Sequence, residues 1–423
     1  MTGSLLTAIP QASIWQALFT KRMLICIFTG FSSGLPLYLL IQLLPAWLRS
    51  EQVDLKAIGF FALIQLPYNW KFLWSPLLDR YAIPILGRRR GWMLVTQILL
   101  LMSIPVFGVF HPKLDLWTIA YLATAVAFFS ASQDIVLDAY RREILSDTEL
   151  GLGNSVHVNA YRVAGLVPGA LSLILADFLP WNTVFLITAL FMLPGMLMTV
   201  FVSEPKVIGS PPKTLRDAVV EPFREFIQRN GLNNALLVLA FIFLYKLGDS
   251  MATALATPFY LDMGFTKTEI GLIAKNAGLW PSIIGGLIGG IWMVKIGISR
   301  ALWLFGFVQL ISIVGFAGLT QFPQNKIALG LAIGFEAVGV GLGTVAFVAF
   351  IARTTNPAYT ATQFALFTSL AALPRTVINS FAGVIVEQIG WLNFYWLCMF
   401  LAIPGMLLLF KVAPWNEKKI QTW

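Results

Sequence analysis

Long apolar runs constrain this chain more than any other feature of its sequence. Crossing the roughly 30 Å hydrocarbon core of a membrane takes about 20 apolar residues in a helix. Runs of this length recur along the 423 residues, of which 58% are hydrophobic and only 12% are charged. They cover residues 23–47, 57–78, 91–110, 116–137, 156–177, 180–202, 234–259, 268–294, 300–320, 327–350, 360–386 and 391–412. The sequence therefore predicts an all-α polytopic membrane protein with 12 transmembrane helices.

The distribution of lysine and arginine predicts how the chain crosses the membrane. With the N-terminus inside, the inner segments contain 19 of the 29 basic residues and the outer loops contain five. This excess is a strong positive-inside signal, so both termini are predicted to be cytoplasmic. The longest polar interruption runs from Ser203 to Gly231. It predicts a cytoplasmic linker at 203–232 between an N-terminal six-helix half, 1–202, and a C-terminal six-helix half, 233–423.

A weak internal repeat relates the two halves. The sequence LKAIG (55–59) begins the second span and KTEIG (267–271) begins the eighth. Spans five and eleven each contain one arginine, Arg162 and Arg375. Parallel six-helix repeats of this kind are known from transporters whose substrate site lies between the halves, near the middle of the membrane.

Several other classes of protein are poorly supported. The chain has no Gly-x-x-x-x-Gly-Lys-Ser/Thr phosphate loop, so it is not a self-contained ATP pump. His111 and His157 are too few and too far apart for a metal site, and neither a catalytic motif nor a nucleic-acid partner is predicted. Cys26 and Cys398 lie inside apolar runs and indicate no disulfide. Residues 1–20 lack the pattern of a cleaved signal peptide.

Ionisable residues inside the predicted spans are the main functional signal, because an ionised group is costly in the bilayer and marks a functional site. The basic members of this set are Lys71, Arg162, Lys246, Lys275 and Arg375. They outnumber the deep acidic residues Asp249 and Glu336, so the predicted ligand is an anionic solute with carboxylates or phosphates. The polar and aromatic neighbours that suit a large or sugar-containing ligand are Tyr68, Asn69, Gln133, Asn159, Tyr161 and Asn276. Each of these neighbours can equally serve helix packing.

The two deep carboxylates are candidates for coupling protons to transport. Lys246 and Asp249 are three residues apart, so they share a helix face and can pair. Glu336 lies about nine residues into its span, roughly 14 Å deep at 1.5 Å per residue. It has no basic neighbour at helical spacing. A local ion pair that permits insertion, and a protonated acid hydrogen-bonded within the packing, are the structural alternatives.

Five segments resemble a known family. SPLLDR (75–80) followed by GRRR (87–90) is similar to the major facilitator loop signature Gly-x-x-x-Asp-Arg-x-Gly-Arg-Arg, with Ser75 in place of the first glycine and five extra residues. The sequences LPYNWKFLWSPLLDR (66–80), GRRRGW (87–92), SQDIVLDAYRRE (132–143), NAYRVAG (159–165) and YKLGD (245–249) together resemble the AmpG muropeptide permeases. The resemblance covers both halves and implies a major facilitator fold.

The resemblance also implies a function. Members of this family import N-acetylglucosaminyl-1,6-anhydro-N-acetylmuramyl peptides across the bacterial inner membrane for peptidoglycan recycling. Their uptake depends on the proton motive force and feeds the signalling that induces β-lactamase. A monomer that uses a proton gradient and no cofactor is expected. By the same resemblance, the residues implied in an ion-pair network that closes the cytoplasmic side are Asp79, Arg80, Arg88, Asp134 and Asp138.

Other functions stay open from the sequence. Eukaryotic acetyl-CoA transporters are similar to this family, so a carrier of acetyl-CoA or another nucleotide-linked anion is the main alternative. A sensor or assembly subunit that no longer transports, and an intramembrane enzyme, are the remaining candidates.

Overall fold

The computed structural model describes residues 19–53, 61–84, 86–205, 215–377 and 381–415. In these ranges the regular structure is helical, apart from one antiparallel bridge between Ile83 and Gly87. Helices dominate because a backbone in lipid must satisfy its polar groups within its own segment.

The described residues of the first half form six helical stretches. They are α1 (Lys21–Ser50), α2 (61–80), α3 (Arg89–Val109), α4 (Leu116–Ile144), α5 (Leu150–Ala176) and α6 (Trp181–Phe201). Helix α2 is broken into Phe61–Gln65, Leu66–Trp70, Lys71–Leu73 and Ser75–Arg80. Prolines at positions 67 and 76 stand at the start of two of these pieces, because proline lacks the N–H that would continue a preceding helix.

The second half follows a linker helix, Leu215–Asn230. Its stretches are α7 (Leu232–Asp262), a long helix Lys267–Leu319, α10 (Lys326–Thr354), α11 (Thr360–Val377) and a second long helix Ala382–Val412. The long helices are interrupted at Gly297 and Gly390, whose φ angles of 79° and 76° suit glycine, which has no Cβ. We therefore call 267–296 α8, 298–319 α9 and 391–412 α12.

Nine stretches of the described residues are long and apolar enough to cross a membrane. One of them, Leu272–Leu319, belongs to the helix interrupted at Gly297. The 53 residues of this helix would measure about 80 Å if straight, more than two bilayer cores. The break at Gly297 therefore divides it into two pieces that are each long enough for one crossing. The count of 12 spans and the domain boundaries 1–202, 203–232 and 233–423 stay predictions.

The hydrophobic cores differ between the two ends of the bundle. At the end farthest from the linker, one core contains only residues between 35 and 192, and another contains only residues between 251 and 398. At the linker end, the cores mix the halves: Leu150 shares a core with Phe364, and Tyr140 shares one with Ala361. The halves are thus packed together at the linker end and hold separate cores at the far end.

Helices α1 and α5 approach each other closely within the first half. A Cβ added at Gly30 would overlap the backbone carbonyl of His157, and one at Gly34 would overlap the carbonyl of Tyr161. Because these neighbours are backbone atoms, they cannot rotate away. Small residues at helix crossings of this kind allow backbone contact inside a membrane.

Gly30→Ala is expected to destabilise the fold by roughly 1–3 kcal/mol, the usual cost of overpacking. Gly318→Ala is the matched control, because a Cβ at this helical glycine meets nothing within 4 Å. Thermal unfolding in detergent, followed by tryptophan fluorescence, should show a lower midpoint for Gly30→Ala alone. Equal midpoints for the two variants would contradict the α1–α5 packing described here.

Candidate functional site

The Asp79 carboxylate joins the two halves at the linker end. Asp79 lies in the last turn of α2, and its oxygens accept hydrogen bonds from the backbone N–H groups of Ala361 at 3.3 Å and Thr362 at 2.8 Å. The Thr362 hydroxyl also donates to it, at 2.8 Å. These groups belong to the first turn of α11, where backbone N–H groups lack partners within the helix and the helix dipole favours an anion. Asp79 therefore caps a helix of the opposite half.

Buried arginines hold Asp79 in place. Arg89 Nη2 lies 2.8 Å from Asp79 Oδ1 and 2.6 Å from Glu143 Oε1, and the Arg89 side chain is 0% exposed. Arg88 contacts the same Glu143 carboxylate at 3.4 Å. The Glu204 carboxylate accepts from the backbone N–H groups of Arg89 at 2.8 Å and of the next residue at 2.9 Å. Two guanidinium groups thus face Asp79 and Glu143, which satisfies the condition that buried charges are paired.

Further contacts between the halves, and one from the linker helix to the second half, lie at the same end. Arg142 Nε donates to the carbonyl of Ala352 at 2.6 Å, which joins the end of α4 to the end of α10. The Arg141 guanidinium lies 5.7 Å from the ring centre of Phe364 in α11. Glu225 of the linker helix accepts from Gln363 at 2.7 Å. The linker end is therefore closed by polar contacts as well as by the mixed cores.

A cluster of charges lies in the first half, between α1, α2 and α4. Asp138 Oδ1 is 2.8 Å from Arg141, and its Oδ2 is 4.0 Å from the buried Lys71 amine. The Ser33 hydroxyl donates to Asp134 at 2.6 Å. The structure thus places Asp134 and Asp138 with Lys71, and the bonds described around Asp79 do not include them. A helical spacing of four residues puts both acids on one face of α4, which turns toward Lys71.

Arg80 directly follows Asp79 in the chain. Its guanidinium lies 5.1 Å from the ring centre of Tyr81, and the described ion pairs around Asp79 do not involve it. Of the residues predicted to form the cytoplasmic gate, Arg88 donates to the Asp79 carbonyl at 3.4 Å, and Asp134 and Asp138 lie in the cluster around Lys71. Their role as a gate stays a prediction.

A second charge cluster lies where the halves meet in the middle of the bundle. Lys246 Nζ is 2.8 Å from Asp249 Oδ2, one helical turn along α7. Arg162 of α5 donates to the Ser282 carbonyl of α8 at 2.7 Å, so it crosses between the halves. Glu336 of α10 is 8% exposed and interacts electrostatically with Asp249, Lys246 and Arg162. We call Arg162, Lys246, Asp249 and Glu336 the central cluster.

The other predicted ligand contacts take part in packing or local bonds. Gln133 donates to the Ser32 carbonyl at 2.7 Å, and Asn159 donates to the Ser155 carbonyl at 2.9 Å. The Tyr161 ring centre is 5.4 Å from that of Tyr38. The remaining three are Tyr68 and Asn69, which are half-buried, and Asn276, which is exposed and bonded to the carbonyl one turn before it.

The side chains of Lys275 and Arg375 lie outside the described part of the structure. Of the five cations expected to line one cavity, Lys71 is in the first-half cluster, and Arg162 and Lys246 are in the central cluster. Their roles toward a ligand stay predictions.

Sequence reasoning did not single out Arg89, Arg141, Glu143 and Glu204. Arg89 and Arg141 stand in runs of basic residues that the positive-inside rule already explains. The sequence therefore gives no separate sign of their structural role. The available signal was an acidic residue beside such a run: Glu143 follows a pair of arginines directly.

Known proteins resemble this chain along most of its length. The family model described as Major Facilitator Superfamily matches residues 70–377. An uncharacterized protein of Haemophilus influenzae is 53% identical over 419 residues, which is 97% of this chain and 99% of that protein. The anhydromuropeptide permease of Escherichia coli K12 is 44% identical over 390 residues, or 92% of this chain and 79% of the permease. The putative transporter AmpG 4 of Rickettsia felis is 32% identical over 390 residues, which is 90% of this chain and 94% of that transporter.

Solved structures share the fold at low sequence identity. The crystal structure of the human organic anion transporter MFSD10 aligns with a TM-score of 0.71 and 17% identity, over 92% of this chain and 99% of that one. A bacterial homologue of the iron transporter ferroportin in an outward-facing state gives a TM-score of 0.69 and 14% identity, over 94% and 100%.

Asp79→Asn is expected to loosen the linker end, because the substitution removes the anion at the start of α11. A lost capping charge costs roughly 1–2 kcal/mol, which is about tenfold in the ratio of closed to open molecules. The measurement is the labelling rate of Ala365→Cys, a buried site in a core that mixes the halves. The two native cysteines are buried.

Glu221→Gln is the matched control, since this carboxylate also pairs with an arginine, but within its own helix and with a side chain that is 39% exposed. Labelling should rise about tenfold with Asp79→Asn and stay unchanged with Glu221→Gln. An unchanged rate in both would mean that the Asp79 cap does not hold the linker end closed.

Proposed function

Because this chain belongs to the major facilitator superfamily, we propose that it is a secondary transporter that imports anhydromuropeptides. The observation that carries this proposal is the 44% identity to an anhydromuropeptide permease along 92% of the chain. The solute would be a GlcNAc-1,6-anhydroMurNAc peptide, moved from periplasm to cytoplasm by proton symport. Its entry would serve peptidoglycan recycling and the induction of β-lactamase. The carrier of acetyl-CoA or another nucleotide-linked anion is not favoured by this match.

The membrane orientation is part of the proposal. Basic residues are concentrated at the linker end, so the positive-inside rule directs this end and both termini toward the cytoplasm. The membrane would be the bacterial inner membrane. The conformation described above is then closed toward the cytoplasm, which suits loading from the periplasm.

Alternating access would open the linker end by rocking one half against the other. Only contacts present in one of two states can bias the equilibrium between them. The bonds from Asp79 to α11 and from Arg142 to the Ala352 carbonyl are of this kind, since each joins the two halves. Opening would break them, so they stabilise the periplasm-facing state.

The central cluster supports proton coupling at Asp249 and Glu336. Two carboxylates face two cations, so the cluster is neutral when all four groups are ionised. Arg162 comes from the first half, whereas Lys246, Asp249 and Glu336 come from the second. Rocking the halves would withdraw Arg162 and leave two carboxylates with one lysine. One proton would then restore neutrality, so proton binding and conformation would be linked.

Lys71 is the cation in the first half that is most available to a substrate carboxylate. Its distance to Asp138 is 4.0 Å, whereas Lys246 approaches its acid at 2.8 Å and Arg162 bonds a carbonyl at 2.7 Å. A loosely paired amine can exchange partners at lower cost. The full set of proposed substrate cations remains Lys71, Arg162, Lys246, Lys275 and Arg375. One chain contains both halves, so a monomer needs no second copy and no cofactor besides the proton gradient.

The test is uptake of radiolabelled GlcNAc-1,6-anhydroMurNAc tripeptide into liposomes that contain the purified protein. With an acidic exterior, wild type is expected to accumulate the solute. Asp249→Asn should reduce this accumulation at least about tenfold while leaving counterflow at equal pH intact, because exchange needs no net proton movement. Asp262→Asn is the matched control: it is an exposed acid at the far end of the same helix.

Each outcome separates one part of the proposal. Accumulation that persists in Asp249→Asn would keep the importer and direct the coupling to Glu336, tested by Glu336→Gln. Absence of uptake by folded wild type, together with uptake of a CoA ester, would overturn the muropeptide assignment.

A further inference from the structure

A small cavity with polar and apolar lining lies beside Asp249. It is enclosed by α7, α9 and α12, and its polar lining comes from Tyr245, Asp249 and Gln309. The space amounts to about one water molecule. The cavity is therefore too small for a solute and large enough for a single bound water.

The two carboxylate oxygens of Asp249 have different surroundings. Oδ2 is 2.8 Å from the Lys246 amine. Oδ1 is buried and accepts no hydrogen bond from the described residues. Because Asp249 is 7% exposed, Oδ1 cannot be satisfied by bulk water.

Gln309 presents a complementary group to the same cavity. Its side chain is 4% exposed, and Nε2 has no acceptor among the described residues. The cavity is thus lined by two residues, Asp249 with an unsatisfied buried acceptor and Gln309 with an unsatisfied buried donor. A buried water typically has two to four polar partners, and these two atoms supply one donor and one acceptor.

We propose that Asp249 Oδ1 and Gln309 Nε2 hold one water molecule between them, and that Gln309 is a positioning residue for proton binding at Asp249. This inference rests on the proposed role of Asp249 in proton coupling. The Gln309 N–H donates to the water oxygen, and a water O–H donates to Oδ1 of the ionised carboxylate. When Asp249 binds a proton, the water gives one proton to Oδ1 and takes one from the acidic side, so it is regenerated.

The other groups around Asp249 are charged, already hydrogen-bonded or apolar, so Gln309 is the group assigned to position this water. The charged groups that interact with Asp249 are Lys246 of its own helix, Glu336 of α10 and Arg162 of α5. The Tyr245 hydroxyl donates to a carbonyl of α9 at 2.9 Å. Helix α12 contributes an alanine and a methionine to the cavity, neither of which is charged. Changing Gln309 therefore changes the water contact without altering the local charge.

Gln309→Leu removes the donor and keeps the approximate volume. The pH at which gradient-driven uptake is half-maximal is expected to rise by about one unit, a tenfold gain in proton affinity. The reason is that the ionised carboxylate loses a hydrogen-bond donor. Counterflow at equal pH should change less than about twofold. Gln309→Met serves if the leucine variant fails to reach the membrane.

Gln97→Leu is the matched control, because Gln97 is a fully buried glutamine of the first half with an unsatisfied Nε2. It should leave the pH profile unchanged. A Gln309 variant with a wild-type pH profile would overturn the positioning role.

Infrared difference spectroscopy in H₂¹⁸O detects the water without a transport assay. An isotope-sensitive O–H band is expected in wild type and Gln97→Leu. It should be lost in Gln309→Leu and shifted in Asp249→Asn, whose amide oxygen is a weaker acceptor than a carboxylate. A wild-type band in the last two variants would overturn the water site. If Asp249→Asn shifts the band but retains coupled uptake, the proposed coupling role of Asp249 fails while the water site stands.

Discussion

Neutralisation of buried charge is the constraint on which this structure depends. An ionised side chain inside a bilayer is costly unless another group compensates it. In the part of the chain that the structure describes, this condition is met around Asp79 at the linker end, around Lys71 in the first half, and around Asp249 in the middle. Asp79 and Lys71 are paired with charges of other helices, whereas Asp249 pairs with Lys246 of its own helix. The charges around Asp79 and Lys71 therefore specify which helices must be neighbours.

Two of these places also join the halves, and this property relates them to transport. The Asp79 carboxylate needs the N–H groups of α11, and Arg162 needs a carbonyl of α8. A movement of one half against the other exposes both groups at once. A closed linker end and a neutral central cluster are consequently features of one conformation. The proposed proton step would act where that neutrality is lost.

Sequence reasoning predicted the fold class and family well because both depend on short-range signals. Apolar run length and the positions of basic residues are local properties, and the segment around Asp79 is similar to a loop signature of the superfamily. It also paired Lys246 with Asp249, since a spacing of three residues fixes that contact. The partners of Asp134 could not be predicted in this way, because helical spacing gives the face of a residue but not the helix opposite.

The sequence by itself determined an all-helical membrane protein of the major facilitator superfamily, with charges that require partners inside the bundle. Only the tertiary structure decided which partners they have. Asp79 and Thr362 are far apart along the chain, and Gln309 carries no charge that would mark it in a span. Their roles arise from helices brought together across the bundle. Periodicity along one helix contains no information about such contacts.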